Sequence, residues 1–391
     1  MLDVVGMPAL GVLAVKEALW VNGAIRRVVD AVRRAVSHGR ALSHARRIAR
    51  ARALYYFMTG YRFRLTLASL GLGAVALAAL PSSNGVSHVP ARLAASHLRI
   101  HAMATIAAAR VPLSTDGDCV LPIVVSVTCV GAGTPMAYGG GAIQSSSAVY
   151  IVFWGWNGRD PSGQAAYQQH FFQGVGGSDW LSSQTQYCNA TGDPVGLTCA
   201  AGAAHVGNPT GLLKGTWTDA VNAVPSNPTD ADIQAEAIRA AANFGNTTPG
   251  SNINAQYIID TPQGNSTTGF ATQWCAYHGS ASSAYGTVAY TDFPYITDAG
   301  ASCGQNFVNA GSAGLLDGVS IVGGHEFAET ETDVTPPSGW TDTVGAETGD
   351  KCAWISVGPG ASSDITLSTG TFAVQSLWSN SANAGLGGCA G

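Results

Sequence analysis

An α+β fold is predicted by three stretches of this 391-residue chain. Ala148-Val149-Tyr150-Ile151-Val152-Phe153-Trp154 is β-branched and aromatic, the composition of a buried strand. Thr229-Asp230-Ala231-Asp232-Ile233 opens a helix with an N-cap hydroxyl and first-turn acids. Its Ile233, Ala237, Ile238, Ala241 and Phe244 share one stripe before Gly245 ends it. A further helix, mostly apolar, is expected over 315–332, followed by a Gly- and Ser-rich tail.

The remaining elements fall around these. The main domain is expected over 142–391. After the first strand, Asp160-Pro161-Ser162-Gly163 is a turn and 164–173 reads as a helix. A strand is expected over 212–218, then the capped helix, then strands over 256–260 and 286–291. The helix over 315–332 follows, and Pro336-Pro337-Ser338-Gly339 forces a turn after it. The tail carries short strands at 364–367 and 371–378. No internal repeat or heptad pattern is present in the sequence.

Composition narrows the class of function. Hydrophobic residues make up 46% of the chain and charged ones only 11%. From Thr115 onward, four basic residues (Arg159, Lys214, Arg239, Lys351) face 21 acidic ones, a net charge of −17 for the body of the protein. Such a surface repels nucleic acid and anionic membranes. No nucleic-acid partner is expected, and membrane contact only through a signal peptide. Arg62-Phe63-Arg64, an apolar run over 65–80 and Pro81-Ser82-Ser83-Asn84 form the three regions of a secretory signal. The run is short for a membrane anchor and lacks a basic stop on its far side. Met58 heads this signal, so it is assigned to 58–84, and 1–57 reads as a basic N-terminal extension with translation expected from Met58. Residues 85–141 read as a pro-segment or linker that includes a short apolar strand over 121–127. All eight cysteines follow the signal, which predicts disulfides in an exported, extracellular protein. Nearest-neighbour pairing is expected: Cys119 with Cys129, Cys188 with Cys199, Cys275 with Cys303, and Cys352 with Cys389. A monomer is favoured.

The chemistry concentrates in Gly323-Gly324-His325-Glu326-Phe327-Ala328-Glu329 and Gly345-Ala346-Glu347-Thr348-Gly349-Asp350-Lys351-Cys352. His325 and Glu329 are four apart on the predicted helix, one turn above each other on one face. Both can therefore reach one metal ion, with Glu326 beside them as a candidate general base. A third ligand must come from elsewhere. Asp333 fails, because positions i, i+4 and i+8 span about 12 Å of helix. Glu347 is the expected third ligand, with Asp350 accepting the free ring N–H of His325. Glu331, Asp333 and Asp342 enlarge the acidic cluster and keep calcium open as an alternative to zinc. A G-x-S-x-G nucleophile motif is absent from the sequence, and Glu326 and Glu329 point too nearly the same way to flank a sugar.

This arrangement resembles the thermolysin-like zincins, with H-E-x-x-H on one helix, a downstream Glu ligand and an Asp shortly after it. The resemblance implies a zincin-like mixed sheet packed on two or three helices, the last carrying the motif, with a disulfide-stapled C-terminal part. It implies zinc on His325, Glu329 and Glu347, and hydrolysis of a peptide or protein substrate with Glu326 as base. The Tyr290 strand would be the edge that pairs with the substrate, and His278 or Tyr295 would stabilise the oxyanion. Glu329 departs from the family pattern, which has His there. The strand over 149–154, the His325 to Thr330 and Gly349 to Trp354 motifs and the tail are also similar to secreted bacterial proteins distantly like the plant phosphate-induced protein 1 (EXORDIUM) family. That resemblance implies the alternative: a non-catalytic extracellular cell-wall or carbohydrate-binding protein with structural calcium or no metal.

Overall fold

The computed structural model describes residues 102–109 and 134–391. The basic extension, the signal segment, the strand over 121–127 and the Cys119/Cys129 pair lie outside the described residues.

The described chain is mixed α+β. Its strands are β1 (Ala102–Ala104), β2 (Ala137–Tyr138), β3 (Ala148–Trp154), β4 (Leu213–Asp219), β5 (Ala255–Asp260), β6 (Trp274–Ser283) and β7 (Gly286–Phe293). After these come β8 (Trp340–Thr341), β9 (Ser363–Leu367), β10 (Gly370–Val374), β11 (Leu377–Ser379) and β12 (Gly388–Ala390). The three longest helices are α1 (Gln164–Gly174), α2 (Asp230–Asn243) and α3 (Asp317–Thr332). Thr229 caps α2 in a reciprocal box with Asp232, and Gly245 follows with φ +77°, as the sequence requires.

Six strands form one sheet in the order β1-β6-β7-β5-β3-β4. β3 runs parallel to β4 and β5, and β5 parallel to β7, whereas β6 and β1 are antiparallel to their neighbours. The crossover from β3 to β4 moves one way along the sheet and that from β4 to β5 moves back. Right-handed crossovers in opposite directions place their helices on opposite faces. Accordingly Val149, Ile151 and Phe153 of β3 pack with Phe171 and Phe172 of α1 and with Val319, Ile321 and Val322 of α3. Val152 and Trp154, on the other side of the pleat, pack with Ile233, Ala237 and Ala241 of α2.

Every residue of α3 is buried. An all-buried helix must avoid bulk where neighbours crowd it, and Gly324 meets that need: a Cβ there would lie 3.0 Å from Trp180 and 3.3 Å from Phe171. Three disulfides, Cys188–Cys199, Cys275–Cys303 and Cys352–Cys389, bear out the expected pairing for six cysteines and point to an oxidising environment. No helix among the described residues is long and apolar enough to cross a membrane.

Two sheet strands differ from the sequence expectation. β6 is an added ten-residue strand that forms a hairpin with β7. β1 comes from the segment expected to be a pro-segment or linker, and it becomes the sheet edge by pairing with β6. The edge beside Tyr290 is therefore occupied by β6, whose own outer side carries β1.

Asp292 is fully buried and accepts from Thr267 Oγ1 at 2.6 Å. Burial pushes its carboxyl up to about 7, against the Thr267 hydrogen bond and with help from Asp230. Unfolded, the group ionises near 3.8, so between these values the folded state holds a proton that the unfolded chain has lost. Its contribution to stability is full below about pH 4 and disappears as pH rises through 7. The unfolding free energy is expected to fall with rising pH by up to about 1.4 kcal/mol per unit in that window. Denaturant titrations of wild type and Asp292→Asn from pH 4 to 8 check this; an equal slope in both chains refutes it.

Candidate metal centre

The site is built where α3 crosses the β6 end of the sheet. His325, Glu326 and Glu329 project from two successive turns of α3 and are fully buried. The expected pairing is present: His325 Nε2 lies 3.1 Å from Glu329 Oε1. The block after the Pro-Pro turn closes one side. Glu329 Oε1 accepts the backbone N–H groups of Gly349 at 3.1 Å and Asp350 at 3.0 Å. Asp350 Oδ1 lies 3.8 Å from His325 Nε2, with the Asp350 side chain 21% exposed. Gly349 has to be glycine for this approach, because a Cβ would stand 2.6 Å from His325 Nδ1.

His278 enters from β6. Tyr277 sends its hydroxyl to Asp230 at the start of α2, so His278, one residue on, faces the opposite side of the pleat toward α3. Its Nδ1 lies 3.2 Å from Glu326 Oε2 and 3.5 Å from Glu329 Oε2, and its Nε2 is 3.5 Å from Glu347 Oε1. Two imidazoles and four carboxylates thus meet in one buried cluster. Two sets have donor atoms close enough for a common ion: His278, Glu326 and Glu329, and His325, Glu329 and Asp350.

The places of two acids are exchanged relative to the sequence expectation. Asp350, expected to orient His325, stands in the donor set with His325 and Glu329. Glu347, expected in that set, reaches the cluster from the His278 side. The orienting partner of His325 is Gln375, whose Nε2 donates to Gly349 O at 2.8 Å and whose Oε1 faces His325 Nδ1 at 3.2 Å. Because the amide's N–H₂ is committed to a carbonyl, its oxygen receives the Nδ1–H of His325, leaving the Nε2 lone pair toward Glu329 and Asp350. Gln375 lies 50 residues beyond His325, between two tail strands, and no sequence pattern singles it out. His278 had a legible signal in its position beside the paired Cys275, but its neighbours are set by the sheet.

Tyr295 is not brought to the cluster by its hydroxyl, which donates to Asp160 Oδ1 at 2.8 Å and lies 2.6 Å from Ser162 Oγ, at the start of α1. The outlying acids also have other work. Asp342 pairs with Lys351 Nζ at 2.7 Å, and Glu331 accepts from Ser147.

Electrostatics follow from burial. Glu326 has its carboxyl raised above the usual range by loss of water, against the pull of His278 and His325. Glu329 is lowered despite its burial, because His325 and the Asp350 N–H favour its charge. Burial opposes a proton on His325, but Glu329, Glu326 and Asp350 push its affinity up to about 10. His278 moves the same way, raised by Glu347 and Glu326. His325 Nε2 lies buried 3.1 Å from Glu329 Oε1, and Glu329 Oε2 lies buried 3.5 Å from His278 Nδ1. Buried donor pairs of this kind fit a cation between them.

The cluster is covered by β1. Ala102 pairs with Tyr277 and Met103 with Ala276, the register slips after Met103, and the Met103 N–H donates to Glu326 Oε1 at 3.2 Å. Trp354 Nε1 holds the strand from the other side, donating to Ala104 O at 2.6 Å. Searches against known protein families, curated proteins and solved structures find no match to this chain.

Proposed function

We propose that this chain is a secreted, metal-dependent peptidase of zincin-like type, acting as a monomer on peptide or protein substrates. One observation carries the reading: a peptide strand already lies antiparallel along β6, with its Met103 N–H on the proposed general base. A sheet edge that accepts an extended strand is a common mode of peptide recognition. Here the accepted strand brings an amide nitrogen to a buried carboxylate beside the donor cluster. The three disulfides support export.

His325, Glu329 and Asp350 are the residues proposed to hold the ion, with Gln375 fixing the imidazole tautomer. Zinc is favoured over calcium because calcium prefers all-oxygen shells and two imidazoles line this cluster. When bound, such an ion polarises a carbonyl and acidifies water. The chain's own residues do the rest. β6 aligns the substrate backbone, Glu326 takes a proton from water and passes it to the leaving amide nitrogen, and burial keeps bulk water from competing. His278 Nδ1, 3.2 Å from Glu326 Oε2, lines the far side of that carboxylate.

Full burial of His325 and Glu329 also suits a second reading, a purely structural ion in a non-catalytic extracellular protein. Hydrolysis of an unfolded, disulfide-free protein separates the two. Both wild type and a Met103→Pro chain are assayed, since the proline frees Glu326 from its own strand. Activity is expected to vanish on chelation and to return on adding zinc. Bound metal with no hydrolysis in either chain establishes the structural reading instead.

A further inference from the structure

We infer that the centre is dinuclear, with Glu329 bridging two divalent cations. This inference rests on the metal-site reading above and specifies its stoichiometry. The two donor sets share one residue, Glu329, and use different oxygens of it. Oε2 faces His278 Nδ1 at 3.5 Å, with Glu326 Oε2 3.2 Å from the same nitrogen. Oε1 faces His325 Nε2 at 3.1 Å, with Asp350 Oδ1 3.8 Å from that nitrogen. Donors about 2.1 Å from a common ion stand about 3.0–3.4 Å apart, so these separations fit shells that need only slight contraction. A carboxylate with one oxygen in each shell holds two ions about 3.5–4 Å apart, the spacing of two-metal hydrolases.

Three further features agree. Each imidazole has a partner on its outer nitrogen: His325 Nδ1 faces Gln375 Oε1 at 3.2 Å, and His278 Nε2 faces Glu347 Oε1 at 3.5 Å. Outer hydrogen bonds of this kind orient metal-bound histidines. No lysine or arginine of the described residues enters the cluster: Lys351 pairs with Asp342, Arg239 with Glu236, Lys214 donates to Gly211 O, and Arg159 is exposed. Bound cations are the counter-charge left for its carboxylates. Finally, the shared position explains the residue found there. An imidazole at 329 offers a single lone pair to a single ion, and only a carboxylate can serve both shells. Glu326 keeps its role, because Oε1 stays on the Met103 N–H side, outside either shell.

The test is metal content of the full chain after loading with Zn(II) or Mn(II) and removal of free ion, measured by mass spectrometry. Two equivalents are expected in wild type and one in Glu329→His, which recreates a single-ion ligand pair. One equivalent in wild type overturns the dinuclear inference and leaves the metal site standing; none overturns both. Two equivalents in Glu329→His overturn the bridging role. Electron paramagnetic resonance of the Mn(II)-loaded wild type is independent of any variant's folding: a spin-coupled pair is expected, and isolated Mn(II) alone refutes it.

Discussion

A Glu326→Gln chain is expected to fold, to keep the ion beside His325 and to lose peptide hydrolysis by a factor of about 10²–10⁴, the usual worth of a positioned acid–base group. The substitution is close to isosteric, so the amide oxygen can still accept the Met103 N–H now donated to Glu326 Oε1 at 3.2 Å. Glu326 is buried, and the same loss of water that raises its carboxyl favours a neutral amide in its place. What Gln lacks is a basic oxygen to carry a proton from water to the leaving nitrogen. Initial rates on an unfolded protein, together with unfolding curves, decide the matter. If the variant hydrolyses as fast as wild type, Glu326 is not the base and the mechanism proposed above is wrong.

The Met103→Pro chain is expected to gain activity. Proline has no N–H to donate to Glu326 and fits poorly in a paired strand. A hydrogen bond to a charged group contributes about 1.5–3 kcal/mol, so its loss shifts the balance between covered and open β6 edges by roughly 10- to 100-fold. Trp354 and the Thr105 N–H, which donates to Gln273 O at 3.2 Å, still tether the segment, so the change opens the edge without detaching the chain. Two measurements read it: the hydrolysis rate, and hydrogen exchange of the β6 amides around Ala276 and Tyr277. Faster exchange with unchanged hydrolysis would mean that β1 covers the edge without limiting catalysis. No change in either would show that the strand is not held through Glu326.

Local chemistry made much of this protein legible in its sequence. An unbroken β-branched run predicts Ala148–Trp154 whatever surrounds it, and the Thr229 cap with its apolar stripe predicts α2. The four-residue spacing of His325 and Glu329 places them on one face of any helix, and their packing surroundings close the gap to 3.1 Å. The cysteine pairs were legible because each joins neighbours in the order of the cysteines, across 11, 28 and 37 residues.

Tertiary structure decided which groups complete the cluster. His278 faces α3 because β6 pairs with β7 in a register that sends Tyr277 to the α2 side, and a one-residue slip would reverse both. Glu347 and Asp350 are three residues apart in a turn, and their sequence spacing leaves open which meets His325 and which meets His278. The turn geometry that aims the Gly349 and Asp350 N–H groups at Glu329 settles it. Gln375 and Met103 arrive from 50 residues downstream and 223 residues upstream of their partners. Contacts at such separations depend on how the sheet is wound and where its edge lies, and periodicity reports only what a residue's own turn or strand presents.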